Sequence, residues 1–183
     1  MQHPGGTEQL SKRIIMQELR PITSRESPRA ILTADFKSLG GHLPIRGGWG
    51  YSQVDACIID KSDPTVDSSL PFDGVSLEYV FVEKRIYEEL IIFRQQGEKF
   101  SGISWNLVEQ NLTFDSGRYF DRLVFDIIAF RANDWEELKS EFEGPQGYGH
   151  PRFDLEAHEK RRHDKMVRLT REFWFDITSF YSE

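Results

Sequence analysis

With 183 residues, of which 38% are hydrophobic and 13% aromatic, the chain is long enough for one buried core, too apolar to remain disordered and short for two domains. Its formal net charge of −7 opposes nonspecific nucleic-acid binding, which depends on clustered Lys and Arg. No apolar run approaches the ~20 residues that cross a bilayer. We therefore expect a single domain over 1–183, with no nucleic-acid partner and no membrane association.

The N-terminal segment lacks the pattern of a signal peptide, and a single cysteine cannot form an internal disulfide. Both features are typical of a cytoplasmic protein. Residues 1–9 are mostly polar, and we expect them to be flexible.

The stretch GGHLPIRGGWGYSQVDACIID (40–60) contains the ingredients of a thiol site. Cys57 is a candidate nucleophile, with His42 as its base and Asp55 as the residue that orients the base. Asp55 and Cys57 would share one face of a strand, because side chains alternate along a strand. A lone cysteine in an apolar strand is more often a small buried residue, and nearby acids disfavour a thiolate. We therefore prefer the buried interpretation.

The same stretch offers a candidate ligand-binding cluster of His42, Arg46, Trp49 and Tyr51. Aromatic rings beside a cation are typical of amphipathic pockets. The glycines show neither the GxGxxG nor the GxxxxGK[ST] spacing of phosphate-binding loops, and we predict no cofactor. The alternative is that the glycine pairs accommodate bulges, or a ring packed on the backbone.

An acidic segment follows. Residues 60–73 (DKSDPTVDSSLPFD) are rich in turn-forming residues, and we expect a mobile acidic loop there. Across 55–89, nine acidic and three basic residues leave a local balance of −6. Such asymmetry favours a basic protein partner, or a second copy of the chain in a homodimer. The competing interpretation is an ordinary solvated surface.

Alternation predicts a strand in VSLEYVF (75–81), with the apolar residues on one side and Glu78 on the polar side. We therefore interpret Glu78, and Glu83 after it, as exposed charges of a strand rather than as acid–base catalysts. The next apolar segment, 83–96, fits either a helix face or a hairpin arm, and we favour the strand.

Two segments with period-two alternation, FSGISWNLVEQNLTF and YFDRLVFDIIAFR, are predicted to form a hairpin. Gly117 lies between them and is free to adopt the positive φ that tight hairpin turns require. The second arm is apolar on both faces, which predicts a central strand covered on both sides.

The C-terminal third favours helices. NDWEELKSEFEGP (133–145) predicts a helix that is capped by Asn133 and ended by a glycine and a proline. A second helix is predicted from Asp154 through LEAHEKRRHDKMVRLTREF (155–173). The aromatic tail over 172–181 fits a helix or a strand, and we expect it to dock on the core or in a homodimer interface.

Several potential metal ligands lie in the same third: His150, Asp154, His158, Glu159 and His163. Two pairs have the i, i+4 spacing that places ligands on one helix face. No HExxH is present, the two pairs point in different directions, and the neighbouring EKRRH cations repel a metal ion. We interpret the histidines as exposed surface residues and predict no metal site.

Together these elements predict an α+β fold of one domain, in which a predominantly antiparallel sheet built from hairpins is packed by two C-terminal helices. No motif carries evident catalytic chemistry, so we expect a cytoplasmic binding or protein-interaction module. The alternative is a small-molecule carrier or enzyme whose pocket lies between the sheet and the C-terminal helix, near residues 42–57.

Overall fold

Four α-helices and five strands form within residues 27–35, 43–66 and 73–181, which are the residues that the computed structural model describes. In chain order the elements are α1 (Pro28–Asp35), β1 (Ile45–Gly47), β2 (Cys57–Ile59), α2 (Gly74–Tyr87), β3 (Phe100–Asp115), β4 (Arg118–Arg131), α3 (Ala132–Glu143), α4 (Leu155–Lys165) and β5 (Val167–Asp176). A π-helical turn (Glu88–Ile92) extends α2, and a 3₁₀ turn (Thr178–Phe180) follows β5. The predicted α+β class is confirmed.

The strands form one sheet in the order β1-β2-β5-β4-β3. Neighbouring strands are antiparallel except β2 and β5, which pair in parallel at Cys57 with Phe175 and Ile58 with Asp176. The predominantly antiparallel sheet is therefore confirmed. β4 lies between β5 and β3, in the central place that its two apolar faces predict.

The residues predicted as a strand over 75–81 instead form the first part of α2, which lies on one face of the sheet. Asp73 caps this helix, because its side chain accepts the backbone N–H of Ser76 at 2.7 Å. Leu77 and Phe81 follow the i, i+4 spacing of a helix face and are buried in the core. The strand prediction was wrong because the alternating pattern also contains this helical spacing.

The segment 83–96, for which we favoured a strand, is helical over most of its length. After α2, the π-helical turn over Glu88–Ile92 ends where the N–H of Phe93 donates to the carbonyl of Glu88 at 3.0 Å. This wider turn buries both Glu88 and Glu89. Two acidic side chains thereby enter the interior beside the sheet.

The hairpin of β3 and β4 is confirmed. Ser116 and Gly117 form its turn with φ of 51° and 79°, which are the positive values of a tight two-residue hairpin loop. The pairing then extends from Asp115 with Arg118 to Phe100 with Arg131, interrupted by two register shifts in β3.

The predicted helices α3 and α4 are present and pack on the other face of the sheet. The side chain of Phe130 points to the face of β4 opposite α2, because side chains alternate along a strand. The centroid of its ring lies 5.2 Å from that of Trp135 in α3. We predicted that Asn133 caps α3, but the helix begins at Ala132 and has no side-chain cap. That prediction was wrong. Asp154 caps α4 as predicted, because it accepts the N–H of Ala157 at 2.9 Å.

The long helix predicted over 155–173 ends early, at Lys165. The chain then forms β5, which pairs with β4 from Val167 to Asp176. β-branched and aromatic residues of this segment favour a strand, and the open side of β4 supplies its partner. The tail over 172–181 accordingly continues as strand and ends in the 3₁₀ turn, with Phe173 and Phe175 buried in the core.

Residues 60–66 of the predicted mobile loop form turns, whereas 67–72 lie outside the described residues, as do 1–9. Among the described helices, none combines the length and the apolar character that a bilayer crossing requires.

Gly102 of β3 lies next to the ring of Trp135 in α3, on the second face of the sheet. Its φ is +57°, and a Cβ at this position would lie 2.4 Å from the ring of Trp135. Gly102→Ala is expected to lower the free energy of unfolding by about 2–4 kcal/mol in urea denaturation, because it combines backbone strain with a clash. Gly97→Ala is the matched control, since Gly97 has φ +95° but no atom within 4 Å. Equal losses in the two variants would contradict the packing of Trp135 on β3.

Candidate functional site

The residues of the predicted thiol site serve the fold. Cys57 lies fully buried at the start of β2, and burial, together with the negative charge of Glu78, raises the pKa of its thiol well above the ordinary value. The carboxylate of Asp55 accepts the backbone N–H groups of Trp49 at 3.2 Å and Tyr51 at 3.3 Å. His42 lies outside the described residues. A buried thiol of raised pKa does not favour a nucleophile.

The remaining residues of the predicted ligand cluster point to different places. Arg46 is exposed and pairs with Asp60 at 2.8 Å. Trp49 is buried, with its ring 5.9 Å from that of Phe81. Tyr51 stacks on the guanidinium of Arg85 at 3.9 Å. The structure therefore does not bring Arg46, Trp49 and Tyr51 into one pocket.

Arg46 does line a cleft of about 580 Å³ at the end of β2 and β5. Of its charged groups, Arg46 pairs with Asp60 and Arg118 with Asp176, whereas the ammonium of Lys61 lies over the ring of Phe180 at 5.6 Å. Ser179 also lines the cleft, and its hydroxyl donates to the carbonyl of Ile59 at 3.0 Å. Because both arginines and both aspartates already have partners, Lys61 is the charged group of this cleft that is left for a ligand among the described residues.

Arg85 anchors the loop between β1 and β2 to the core. The side chain is 1% exposed, its Nε donates to Glu89 at 2.8 Å, and its Nη1 donates to the carbonyls of Trp49 and Gly50 at 3.0 Å each. Tyr51 and Phe173 cover the two faces of the guanidinium at 3.9 and 4.2 Å. Every one of these contacts joins parts of the fold, so this buried cation is structural.

Glu89 completes that network. It also accepts hydrogen bonds from the hydroxyl of Tyr51 at 2.9 Å and from Arg171 at 3.1 Å. Burial alone would raise the pKa of Glu89, but the charges and hydrogen bonds of Arg85 and Arg171, with the hydrogen bond of Tyr51, hold it below its ordinary value. Glu89 is thus a fully compensated anion.

The histidines that we interpreted as exposed do not all lie at the surface. His158 is buried between the rings of Phe142 and Phe153, at 5.4 and 5.5 Å, and its Nδ1 lies 3.2 Å from Glu141. That interpretation was therefore wrong for His158, because α4 turns this residue toward α3. Among the residues that the structure describes, no three His, Cys, Asp or Glu side chains are grouped to hold a metal ion.

A second pair of buried acids, Glu78 and Asp121, lacks the compensation that Glu89 receives. Glu78 of α2 is 3% exposed, and Asp121 lies on the face of β4 beneath it at 6% exposed. The interpretation of Glu78 as an exposed strand residue was wrong. Burial, with the negative charges of Asp121 and Asp73, raises the pKa of Glu78 to about 8.

Asp121 is only half satisfied. Its Oδ2 accepts a hydrogen bond from Gln110 at 2.6 Å, whereas its buried Oδ1 has no hydrogen-bond partner. Burial raises its pKa, although hydrogen bonds from the side chain of Gln110 and from the backbone N–H of Arg122 act in the opposite direction. Among the described residues, no cation pairs with either carboxyl group of Glu78 or Asp121. A buried acceptor without a partner is rare and indicates a missing ligand, proton or water.

Exposed apolar side chains lie on the elements next to this acid pair. They come from one side of α2, from the same face of β3 and from the end of the chain, and we call them the α2–β3 face: Val75, Tyr79, Leu107, Leu112, Phe114 and Tyr181. Leu112 pairs in register with Asp121, and Phe114 pairs with Tyr119, whose ring stacks on Tyr181 at 4.4 Å. The edge of Tyr79 meets Phe125 at 6.0 Å.

The exposure on this face is considerable, since Leu112 is 55% and Phe114 is 62% exposed. Contiguous exposed apolar side chains of this kind mark interaction surfaces on folded proteins. In the order of the sheet, β3 is also an edge strand. Extended and apolar edge strands are surfaces on which other chains dock.

Most of the acidic charge of 55–89 is used inside the chain. Ion pairs join four of these acids to bases: Asp60 with Arg46, Asp63 with Arg29, Glu88 with Lys84, and Glu89 with Arg85 and Arg171. Asp55 and Asp73 accept backbone N–H groups. The acidic groups next to the α2–β3 face include Asp73, Glu78 and Asp121, together with the exposed Glu83, which lies one helical turn after Tyr79.

Sequence reasoning missed this site because it placed Glu78 on a strand. One signal was available: Leu77, Glu78, Phe81, Val82 and Arg85 follow the i, i+3, i+4 spacing of a helix face. On that helix Glu78 lies within the apolar stripe, where a carboxyl group requires an explanation.

Comparisons of the chain with known protein families, with curated proteins and with solved structures find no match. The assignment of a function depends on the geometry of this chain alone.

Proposed function

We propose that the protein is a protein-interaction module that binds a basic protein partner through the α2–β3 face. One observation carries this proposal: exposed apolar side chains of α2, β3 and the end of the chain lie beside two buried carboxyl groups that have no described cation. Specific interfaces have an apolar core, and an acidic group within such a surface selects a partner of opposite charge.

Charge favours a basic partner over a second copy of the chain. The six side chains of the face are uncharged, and the titratable groups beside them that we name, Asp73, Glu78, Glu83 and Asp121, are all acidic. A symmetric pair of such faces would bring like charges together, which is unfavourable in an interface. The net charge of −7 adds a long-range attraction for a basic protein.

The test is a comparison of two neighbouring substitutions on β3. Leu112 lies on the α2–β3 face, whereas Thr113 alternates to the opposite face of the same strand and is also exposed. Leu112→Asn is expected to weaken capture of a basic protein from a lysate of the source cells at least ~10-fold, a typical loss for a central apolar contact. Thr113→Asn should leave the same capture unchanged, and added salt should weaken it.

Two outcomes contradict the proposal. In the first, Thr113→Asn weakens capture as much as Leu112→Asn. In the second, native mass spectrometry finds that Leu112→Asn changes only self-association, which would make a second copy of the chain the occupant of the face.

A further inference from the structure

Resting on the proposed function, we propose that Glu78 and Asp121 form the receptor for one cationic side chain, Lys or Arg, which the partner inserts between α2 and β3. A cationic side chain is thus the group that the α2–β3 face recognises.

Glu78 descends from α2 and Asp121 lies on β4, so the two carboxyl groups approach from facing elements of the core. Gln110 occupies Oδ2 of Asp121, which leaves Oδ1 buried and without a partner. An ammonium or guanidinium group supplies several N–H donors, enough to satisfy Oδ1 and the Glu78 carboxylate together.

The walls suit the stem of such a side chain. Leu112 stands beside Asp121 on the neighbouring strand, and Tyr79 follows Glu78 on α2. Both are exposed apolar groups that neighbour the acid pair, Leu112 in strand register and Tyr79 in sequence. Lys and Arg bury their aliphatic stems along apolar surfaces of this kind while the charged end reaches a polar group.

Other occupants fit less well. An anion would meet the acidic side chains of Asp73 and Asp121, which raise the cost of another negative charge. A Ca²⁺ ion takes six to eight oxygen ligands, and the described residues supply no group of three potential ligands. A proton is the remaining occupant, and Glu78, with its pKa of about 8, holds one at neutral pH.

Binding of the cation therefore exchanges with this proton. At pH 7 the Glu78 carboxyl group loses its proton to the solvent when the cation arrives, so one cation enters the site and about one proton leaves. The groups that face Glu78 are Asp121 from β4, Asp73 at the start of α2 and Cys57 from β2. The neighbouring base on α2, Arg85, is already paired with Glu89.

The experiment titrates the intact protein with butylammonium, and with butan-1-ol as a neutral probe of the same shape. Carboxyl ¹³C NMR follows Glu78 and Asp121, and calorimetry in two buffers of different ionisation enthalpy counts protons. We expect butylammonium to bind at least ~10-fold more tightly than butan-1-ol, with release of about one proton at pH 7. Its affinity should increase up to ~10-fold per pH unit until about pH 8.

Glu78→Gln keeps the shape of the protonated residue and should abolish both the preference for the cation and the release of the proton. Glu83→Gln removes an exposed acid from the same helix and should change neither. The inference is overturned if the two probes bind alike, if neither binds saturably, or if no proton is released from the unmodified protein. In that case the proposed function is tested separately by partner capture. Weaker capture by Leu112→Asn would still support the proposed function, whereas equal capture by Leu112→Asn and the unmodified protein would contradict it.

Discussion

Glu78→Gln is expected to raise the free energy of unfolding at pH 8 by about 3–5 kcal/mol and to flatten the dependence of stability on pH. The pKa of Glu78 is about 8 in the folded protein, against an ordinary value of 4.5. Between these values the folded state holds a proton that the unfolded chain has released. Stability therefore falls as the pH rises, by up to about 1.4 kcal/mol per unit.

Glutamine mimics the protonated side chain at every pH, so the variant should match the unmodified protein near pH 4 and exceed it increasingly toward pH 8. Urea denaturation across this range measures the difference. An acid with a shifted pKa outside this pair, such as Glu89, contributes to both proteins and cancels in that difference. Glu83→Gln, at an exposed position of α2, should follow the unmodified protein. A constant difference between Glu78→Gln and the unmodified protein would contradict the raised pKa.

Arg85→Met is expected to lower the free energy of unfolding by about 3–5 kcal/mol, because removal of one partner leaves a buried charge uncompensated. Glu89 would keep Arg171 and Tyr51 but lose its closest cation, and the carbonyls of Trp49 and Gly50 would lose their donor. Methionine retains an apolar stem between the rings of Tyr51 and Phe173, so the loss reports mainly on the polar contacts.

Two further variants identify the cause. Adding Glu89→Gln to Arg85→Met should recover part of the loss, since it removes the uncompensated charge. Arg46→Met breaks an exposed ion pair with Asp60 and should cost less than about 1 kcal/mol. An Arg85→Met variant as stable as Arg46→Met would mean that the buried network contributes nothing to the fold.

Local patterns were sufficient for the elements whose partners lie next to them in the chain. The hairpin of β3 and β4 could be predicted because alternation, together with Gly117 at the turn, is a local property. The helix α3 could be predicted from its periodicity, although its first residue could not. For α4 the cap at Asp154 was visible, whereas its end at Lys165 was not.

The candidate site could be predicted only in part. The acidic character of 55–89 was evident, but its ion pairs join residues far apart in the chain, such as Asp63 with Arg29. Cys57, Trp49 and Tyr51 were chosen for their chemistry, and the fold uses Trp49 and Cys57 as core residues. Asp121 could not be predicted as a site residue. On a strand that carries both apolar and polar side chains, the local sequence does not show which polar residue will be buried.

The amino-acid sequence by itself determined the α+β class, the long hairpin and the helical character of 133–143, because backbone propensity and periodicity act over a few residues. Only the tertiary structure decided that 75–87 is a helix and 167–176 a strand. Both segments fit either pattern, and the sheet requires a cover on one face and a partner along β4. The same packing buries Glu78 against Asp121, since the side of a helix that meets a sheet is set by contacts between distant parts of the chain.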